Sequence, residues 1–357
     1  MSLSIIDSAM GSGHFLVNAA YRVANEILEM VAENAWETDE DIIKADIQYW
    51  KRKVVENCIY GIDINGLSVA LARLSLWLIS ASNDKALSFI DHHLKEGNSI
   101  IGTDRRHVEI KGSKDNLFGV LSYEDYMRPI LEKYNDLKMV GSATKADVGR
   151  QKEIYEQINE DLKLAKKKYD YYLASQYAGG IEDQLAYFNL LSSKYLSDFE
   201  KEEMGPLWEI ADEKKFFHWE IEFSEVFQKG GFDIAIGNPP YVDVSKVDYL
   251  YSLLLFPDTT NLYSYMIDNN LNFLKKESYY ASYIIPLSLV CSDRMKPLRT
   301  HIRKCIEGNI KFINIDSSTH PGTLFKNLVL RLTIMIINKT ADQDEKKLFS
   351  TNYIKFF

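Results

Sequence analysis

The chain opens on an apolar segment, Leu3-Ser-Ile-Ile6, that runs into Asp7-Ser-Ala-Met-Gly-Ser-Gly13 and then into a stretch where Leu16, Ala20, Val23, Ile27 and Val31 recur every three or four residues. Apolar residues at that spacing share one helix face, so the pattern predicts a buried strand, a glycine turn and a helix from His14 to about Val31. The unit then repeats. After a helical stretch from about Asp39 to Glu56, Cys58-Ile-Tyr-Gly-Ile-Asp63 reads as a second strand ending in a carboxylate, followed by a helix from Leu67 to about Ile79. Ser99-Ile-Ile101, after Gly97-Asn98, reads as a short third strand. From Phe232 the rhythm resumes: a strand from Phe232 to Ile236, a helix around Asn261 to Leu274, a strand from Tyr279 to Ile285 and a helix from about Ser292 to Cys305. Strands at Ile310 to Ile315 and Leu328 to Ile337 follow. Such alternation predicts an α/β fold, a mostly parallel sheet with helices on both faces, whose ligands bind at the C-terminal ends of the strands near a topological switch point.

Between the two regular regions lies an insertion far longer than an ordinary α/β connection. Its middle, Ser122 to Tyr177, carries a stripe of Ile154, Ile158, Leu162, Ala165 and Tyr169 amid Lys and Glu, which predicts a helical hairpin packed on the body. The expected organisation is thus 1–102 and 216–340 as two halves of one domain, 103–215 as a helical insertion, and 341–357 as the start of a connection. The chain begins almost at its first strand and stops at Asn352-Tyr-Ile-Lys-Phe-Phe357 without a closing polar segment, so it is expected to be a piece of something longer.

Composition narrows the function classes. With 42 Lys and Arg against 51 Asp and Glu, the net charge of −9 does not advertise a general polyanion-binding surface, so any such face is local. Three scattered cysteines, Cys58, Cys291 and Cys305, have neither disulfide-framework nor zinc-ribbon spacing. The longest apolar runs are interrupted by Arg73 and Arg331, and the apolar start is too brief for a secretory signal. These features predict a cytoplasmic protein with no membrane partner and no metal.

The residues that carry chemistry sit where the strands end. Asn238-Pro239-Pro240-Tyr241 follows the apolar run Gly231-Phe-Asp-Ile-Ala-Ile-Gly237. Two prolines fix φ at successive residues and remove two backbone donors, leaving carbonyls free to face a ligand. Asn238 adds an acceptor oxygen and Tyr241 a stacking face, so the corner can grip a planar amino group, although the tetrapeptide alone serves equally as a stiff turn. Gly11 and Gly13 let a ligand approach the backbone at the start of the first helix. Position 16 is Leu, so the dinucleotide fingerprint fails, and Asp7 ahead of the glycines favours a cationic or hydroxyl-rich ligand over a pyrophosphate. Asp63 can accept from ribose hydroxyls or cap the next helix, a role for which Asn65 competes. Asn98 can read an adenine edge or stabilise the turn beside Gly97.

Taken in order, the glycine turn after strand one, the acid after strand two and Asn-Pro-Pro-Tyr after strand four resemble the amino-group DNA methyltransferases that use S-adenosylmethionine. Asp7-Ser-Ala-Met-Gly-Ser-Gly13 is similar to their Asp-Pro-Pro/Ala-x-Gly-x-Gly motif, with Ser8 and Met10 in place of the usual Pro and Cys. The likeness extends to the Eco57I group of restriction-modification enzymes through Phe217-His-Trp-Glu-Ile-Glu-Phe-Ser-Glu-Val-Phe227, Asn261-Leu-Tyr-Ser-Tyr265, Tyr283-Ile-Ile-Pro-Leu287 and Gly322-Thr-Leu-Phe325. It covers most of the chain outside 103–215.

That resemblance implies a Rossmann-like methyltransferase fold that methylates the N6 amino group of adenine, flipped out of double-stranded DNA. Asp7 would lie near the methionine portion of the cofactor, Gly11 and Gly13 would shape the turn, Asp63 would hold the ribose and Asn98 would lie near the adenine. Asn238 and the Pro239 carbonyl would accept from the target amino group, with Pro240 fixing the corner and Tyr241 stacking on the base. It implies, too, nuclease and target-recognition domains elsewhere in the same polypeptide. Two other functions share the corner: methylation of a protein glutamine amide, also a planar conjugated nitrogen, and a binding module that keeps the fold without catalysis. Asp91-His92-His93 reads as a solvated turn, His14 as a first-turn helix residue, and Lys111, Lys114 and Lys166 to Lys168 as solvated faces.

Overall fold

In a computed structural model the residues described are 2–34, 46–81, 86–104, 123–177, 198–248, 261–306, 308–315, 330–340 and 347–352. The first strand, β1 (Ile5–Asp7), passes through a turn into α1 (His14–Asn34). Helix α2 (Ile47–Cys58) leads directly into β2 (Ile59–Asp63), and α3 (Gly66–Ser80) follows. Asn65 is the N-cap of α3, its Oδ1 accepting from the Leu67 amide at 2.9 Å, which frees Asp63 from that role. Strand β3 is Leu94–Glu96.

The insertion contributes α4 (Tyr123–Met139), α5 (Lys145–Tyr177) and α6 (Asp198–Lys214). Two single-turn helices, α7 (Trp219–Glu222) and α8 (Ser224–Phe227), bring the chain to β4 (Ile234–Gly237). Then come α9 (Leu262–Asn272), β5 (Tyr279–Pro286), α10 (Ser288–Cys291), α11 (Lys296–Cys305), β6 (Asn309–Ile315), β7 (Leu332–Lys339) and β8 (Leu348–Ser350).

The strands form one sheet in the order β3-β2-β1-β4-β5-β7-β6-β8. Only β7 runs against its neighbours; the pairings from β3 through β5, and of β6 with β8, are parallel. Because successive residues of a strand face opposite sides, each strand supplies two cores. Ile5 and Ile59 join α1, α2 and α3 on one face, while Ile6, Tyr60, Ile62 and Ala235 join α9, α11 and the α7–α8 segment on the other. The sequence runs outward from β1 to β2 and β3, then resumes on the other side at β4, so the switch point lies between β1 and β4. The expected mostly parallel sheet with helices on both faces is what the chain forms.

The insertion is a hairpin as its stripe predicts. Ile158, Leu162, Ala165 and Tyr169 of α5 pack with Met127, Ile130, Tyr134 and Leu137 of α4 in a third core.

Several expectations need correction. The third strand lies at Leu94–Glu96, not at 99–101; there the Ile101 amide donates to the Asn98 carbonyl at 3.0 Å in a turn, and Asn98 bridges to Phe216. His92 and His93 are buried rather than solvated, and burial pushes both imidazoles down, His92 to about 3. Lys168 is buried too, its ammonium pushed down to about 8 by desolvation, and Lys166 pairs with Glu222 at 2.7 Å. The helix expected from Ser292 opens instead with a 3₁₀ turn at Asp293–Met295 and becomes regular only as α11, because Pro297 restarts the helix at its first turn; the single-turn α10 lies just before it. Residues 39–45, Lys111, Lys114, Gly322 to Phe325, and the first residues of the expected strand at 328 lie outside the described residues.

Candidate active site

The glycine turn is built around two left-handed residues, Gly11 at φ 54° and Gly13 at φ 83°. A Cβ on Gly13 would sit 3.0 Å from the Ala72 Cβ, so the turn packs tightly on α3, whereas Gly11 faces open space. Asp63 reaches across from the end of β2, and its Oδ2 accepts from the Gly11 amide at 2.9 Å while Oδ1 accepts from the Asn65 amide at 2.9 Å. The structure thus joins Asp63 to the turn directly.

Asp7 closes β1 and is 1% exposed. Its Oδ1 accepts from the Ala9 amide at 3.0 Å, and its buried Oδ2 has no hydrogen-bond partner among the described residues. Burial pushes this carboxyl up to about 7, the Ala9 amide pulls it part of the way back, and the Asp63 charge adds a smaller upward push. Asp7 also underlies the Asn238–Tyr241 corner: a Cβ on Gly237 would come within 2.7 Å of its Oδ1. That contact brings the Asp7 end of the glycine turn against the residue preceding Asn238.

The corner is anchored on both sides. The Tyr241 hydroxyl lies 2.5 Å from Asn238 Oδ1 and 2.8 Å from the Ile284 carbonyl on β5. Burial pushes its pKa well up, so it remains a donor at neutral pH. Its ring meets Tyr263 edge-on with centroids 6.5 Å apart. Beyond Tyr241, the Leu262 amide donates to the Val242 carbonyl at 2.9 Å and Asp243 bridges to Asn261, the N-cap of α9. This explains why Asn261-Leu-Tyr follows at a distance: it clamps the end of the loop. Pro239 is buried and Pro240 half-buried.

Asn98 sits apart from that corner, 4% exposed, with its Oδ1 accepting from the Ile100 amide at 3.2 Å. In this structure its side chain serves the turn. The turn nevertheless touches the loop after β1, since Ser99 Oγ donates to the Ser8 carbonyl at 2.7 Å.

Sequence reasoning missed the polar support around these residues. Asn270 Nδ2 donates to Ser8 Oγ at 2.8 Å, and Asn269 Nδ2 donates to the Ile100 carbonyl at 3.1 Å. Lys215, left-handed at φ 54°, reaches the Ile64 carbonyl at 3.0 Å and pairs with Glu96 at the end of β3. An asparagine pair on α9 and a lysine at a helix end carry no motif that would reveal these contacts.

The sequence pattern of the Eco57I restriction-modification methylase family matches residues 57–318, and that of the MmeI DNA-methyltransferase domain matches residues 1–99. The chain belongs to the Eco57I restriction-modification methylase family. A protein of Methanocaldococcus jannaschii assigned as a type II restriction enzyme and methyltransferase, RM.MjaORFECS2P, is 26% identical over 364 residues, covering 92% of this chain and 30% of that protein. The chain therefore spans less than a third of the length of that relative.

Among solved structures, a nuclease-deletion mutant of the Type ISP restriction-modification enzyme LlaGI with a DNA substrate mimic aligns over 99% of this chain and 22% of its own. The TM-score is 0.49 and the identity 11%. The Type IIL enzyme MmeI in complex with DNA aligns over all of this chain and 34% of its own, at TM-score 0.42 and 13% identity. The family match runs from β2 through the Asn238 corner to the end of β6.

Proposed function

We propose that this chain is the methyltransferase core of a restriction-modification enzyme, transferring a methyl group from S-adenosylmethionine to the N6 amino group of adenine in DNA. The observation that carries it is the placement of Asn238-Pro239-Pro240-Tyr241 at the end of β4, across the switch point from β1 and pressed against Asp7 through Gly237. In this reading 1–102 holds the cofactor, 216–340 holds the target base, 103–215 is an insertion braced on the sheet edge, and 341–357 leads toward further domains.

The residues at the end of β1 fit the cofactor. Asp7 Oδ2 is a buried acceptor without a donor, Asp63 is a second carboxylate beside it, and the space above Gly11 is open. A sulfonium or ammonium cation is favoured over such a pair, and Asp63 at the β2 end would receive ribose hydroxyls on the lone pairs that the Gly11 and Asn65 amides leave. When bound, the cofactor supplies an electrophilic methyl group.

The corner acts on the other reactant. An adenine N6 lone pair is delocalised into the ring, so the nitrogen is a poor nucleophile. Acceptors at Asn238 Oδ1 and the Pro239 carbonyl would hold its two hydrogens and draw the lone pair toward the methyl carbon. The nitrogen–carbon bond forms as the carbon–sulfur bond breaks, and the amino nitrogen then gives up one proton to solvent.

Tyr241 orients the amide. One hydroxyl proton cannot serve both Asn238 Oδ1 and the Ile284 carbonyl. If it goes to Ile284, the amide orientation that donates Nδ2–H to the Tyr241 oxygen leaves Oδ1 for the target. The Tyr241 ring stacks on the flipped base.

The test is methyl transfer from labelled cofactor to duplex DNA, followed by nucleoside analysis, with the whole polypeptide in the cytoplasm of a methylation-deficient host or purified from it. Label in N6-methyladenine that disappears with Asn238→Ala is the expected result. Label in protein glutamine, or DNA methylation that survives Asn238→Ala, would overturn the assignment.

A further inference from the structure

Two 3₁₀ turns lie beside the Asn238–Tyr241 corner. Val244–Lys246 follows the corner directly, and Asp293–Met295 follows β5 and α10. Contacts through α9 hold the two together. Asp243 bridges to Asn261, the N-cap of α9, and in the first turn of that helix the buried Ser264 hydroxyl donates to the sulfur of the buried Met295 at 3.7 Å. Arg299 fastens the second turn, its Nη1 donating to the Leu289 carbonyl at 2.9 Å and the Ser292 carbonyl at 2.6 Å. On and just after these turns Lys246, Arg294 and Lys296 are exposed. None of the three is within ion-pairing distance of a carboxylate among the described residues.

The chain as a whole, at a net charge of −9, does not attract a polyanion, so any cationic face has to be weighed against the carboxylates around it. Asp243 is occupied as a cap: its Oδ1 accepts from the Ser245 amide at 2.9 Å and the Ser245 hydroxyl at 2.7 Å. Those hydrogen bonds hold its carboxyl below the ordinary range, and the Lys246 and Arg294 charges add to the shift, which puts both cations beside it. Asp248 pairs with Lys214 at 2.7 Å. Asp293 is the acid left exposed on the second turn, and the sequence from Arg294 to Lys304 then holds five Lys and Arg and no acid.

Topology sorts these cations. Strands β5 and β6 both run against β7, so they are parallel to each other, and α11 returns from the C-terminal end of β5 to the N-terminal end of β6. Arg294 and Lys296 therefore stand at the end of the sheet where the corner stands. Arg303 and Lys304, about two turns further along α11, stand at the opposite end, where they complement the negative end of the helix dipole. A polyanion seated on the corner passes the first pair and not the second.

We propose that the sugar–phosphate backbone of DNA next to the target base lies across Lys246, Arg294 and Lys296. The proposal rests on the adenine-methylation reading of the corner. Phosphate contacts carry no sequence information; they fix how a strand lies, here so that one base can swing into the corner.

The test uses the whole polypeptide with two probes: a fluorescently labelled duplex for binding at a series of salt concentrations, and genomic DNA of a methylation-deficient host for methyl transfer. Lys246→Gln, Arg294→Gln and Lys296→Gln together should make the dependence of log affinity on log salt shallower by about 2–3, and should raise KM for DNA by about tenfold or more. Arg303→Gln with Lys304→Gln removes exposed charges from the far end of α11 and should leave the salt dependence as it is. All five side chains are exposed, so the melting of both variants should match the wild type. A wild type that binds and methylates DNA, beside a triple variant with the same salt dependence, would overturn this proposal and leave the adenine reading standing. Equal losses per charge in the two variants would point to net charge rather than contact, and would overturn it as well. A wild type that methylates no DNA would overturn the adenine reading and this proposal with it.

Discussion

Replacing Asp7 by Asn isolates the electrostatic strain stored at the end of β1. The Asp7 carboxyl is 1% exposed and held at about 7, against an ordinary value of 3.8, chiefly by burial. A proton held more tightly in the folded than in the unfolded chain means that stability is full below pH 3.8, falls as pH rises through the window from about 4 to about 7, and is constantly lower above it. The whole difference corresponds to about 4 kcal/mol. Asparagine has nearly the same shape, keeps an oxygen for the Ala9 amide and cannot ionise. Asp7→Asn should therefore match the wild type near pH 4 and exceed it progressively up to pH 7, by as much as about 4 kcal/mol. Urea unfolding of the cofactor-free chain at a series of pH values measures the difference. Saturating S-adenosylmethionine should narrow that gap in favour of the wild type, since a cation beside the carboxylate stabilises the form that burial penalises. Unfolding curves for the two proteins that differ by the same amount at every pH would refute the reasoning. So would a wild type that gains stability relative to the variant above pH 6.

Other perturbations separate the parts of the site. Asn238→Ala should lower the methylation rate by about 100-fold or more while leaving cofactor binding intact, as equilibrium dialysis would show. Tyr241→Phe keeps the stacking ring but frees the amide from its anchor, so kcat should fall by about tenfold with little change in KM for DNA; an unchanged kcat would remove the orienting role. Gly13→Ala meets both a φ of 83° and the Ala72 Cβ, and should cost about 1–3 kcal/mol in thermal or urea unfolding. Glu222→Gln strips the carboxylate from the buried Lys95 at 2.8 Å and from Lys166 at 2.7 Å and should cost about 3–5 kcal/mol. Because those lysines hold the Glu222 carboxyl well below the usual range, the native pair should persist through pH 4.

What the sequence made legible was whatever repeats locally. The apolar stripe of α1, the two-strand rhythm around Asp63, the α4–α5 hairpin and the place of Asn238 at a strand end all follow from periodicity and from residues a few positions apart. What escaped it depends on distant partners. Leu94-Lys95-Glu96 does not read as a buried strand because Lys95 is charged, and the carboxylate that neutralises it, Glu222, is 127 residues away. His92 and His93 looked solvated by type, yet they stack among Phe89, Tyr60 and Tyr155 once the insertion closes over them. The dual choice at Asn98 was real in the sequence, and geometry alone supplies the hydrogen bond to Ile100.

The departures of this chain from its family's cofactor motif show how the turn keeps its shape. The usual proline after the leading acid restricts φ and stiffens the approach to the glycines; Ser8 cannot do that. Ser8 is instead held from two sides, its hydroxyl by Asn270 of α9 and its carbonyl by Ser99 of the turn after β3. Met10 is 3% exposed and packs where a Cβ on Gly61 would collide with its sulfur, while its amide donates to the Ile62 carbonyl at 3.0 Å. The flexible thioether fills the space beside a glycine that leaves room for it. A rigid residue is thus replaced by cross-links to three other segments, one of them α9, which follows β4. Anything that shifts α9, including the clamp of Asn261 on the end of the Tyr241 loop, acts on Asn270 and through it on the glycine turn. Hydrogen bonds through Ser8 thus tie the turn after β1 to α9, whose N-cap Asn261 holds the loop that follows Tyr241.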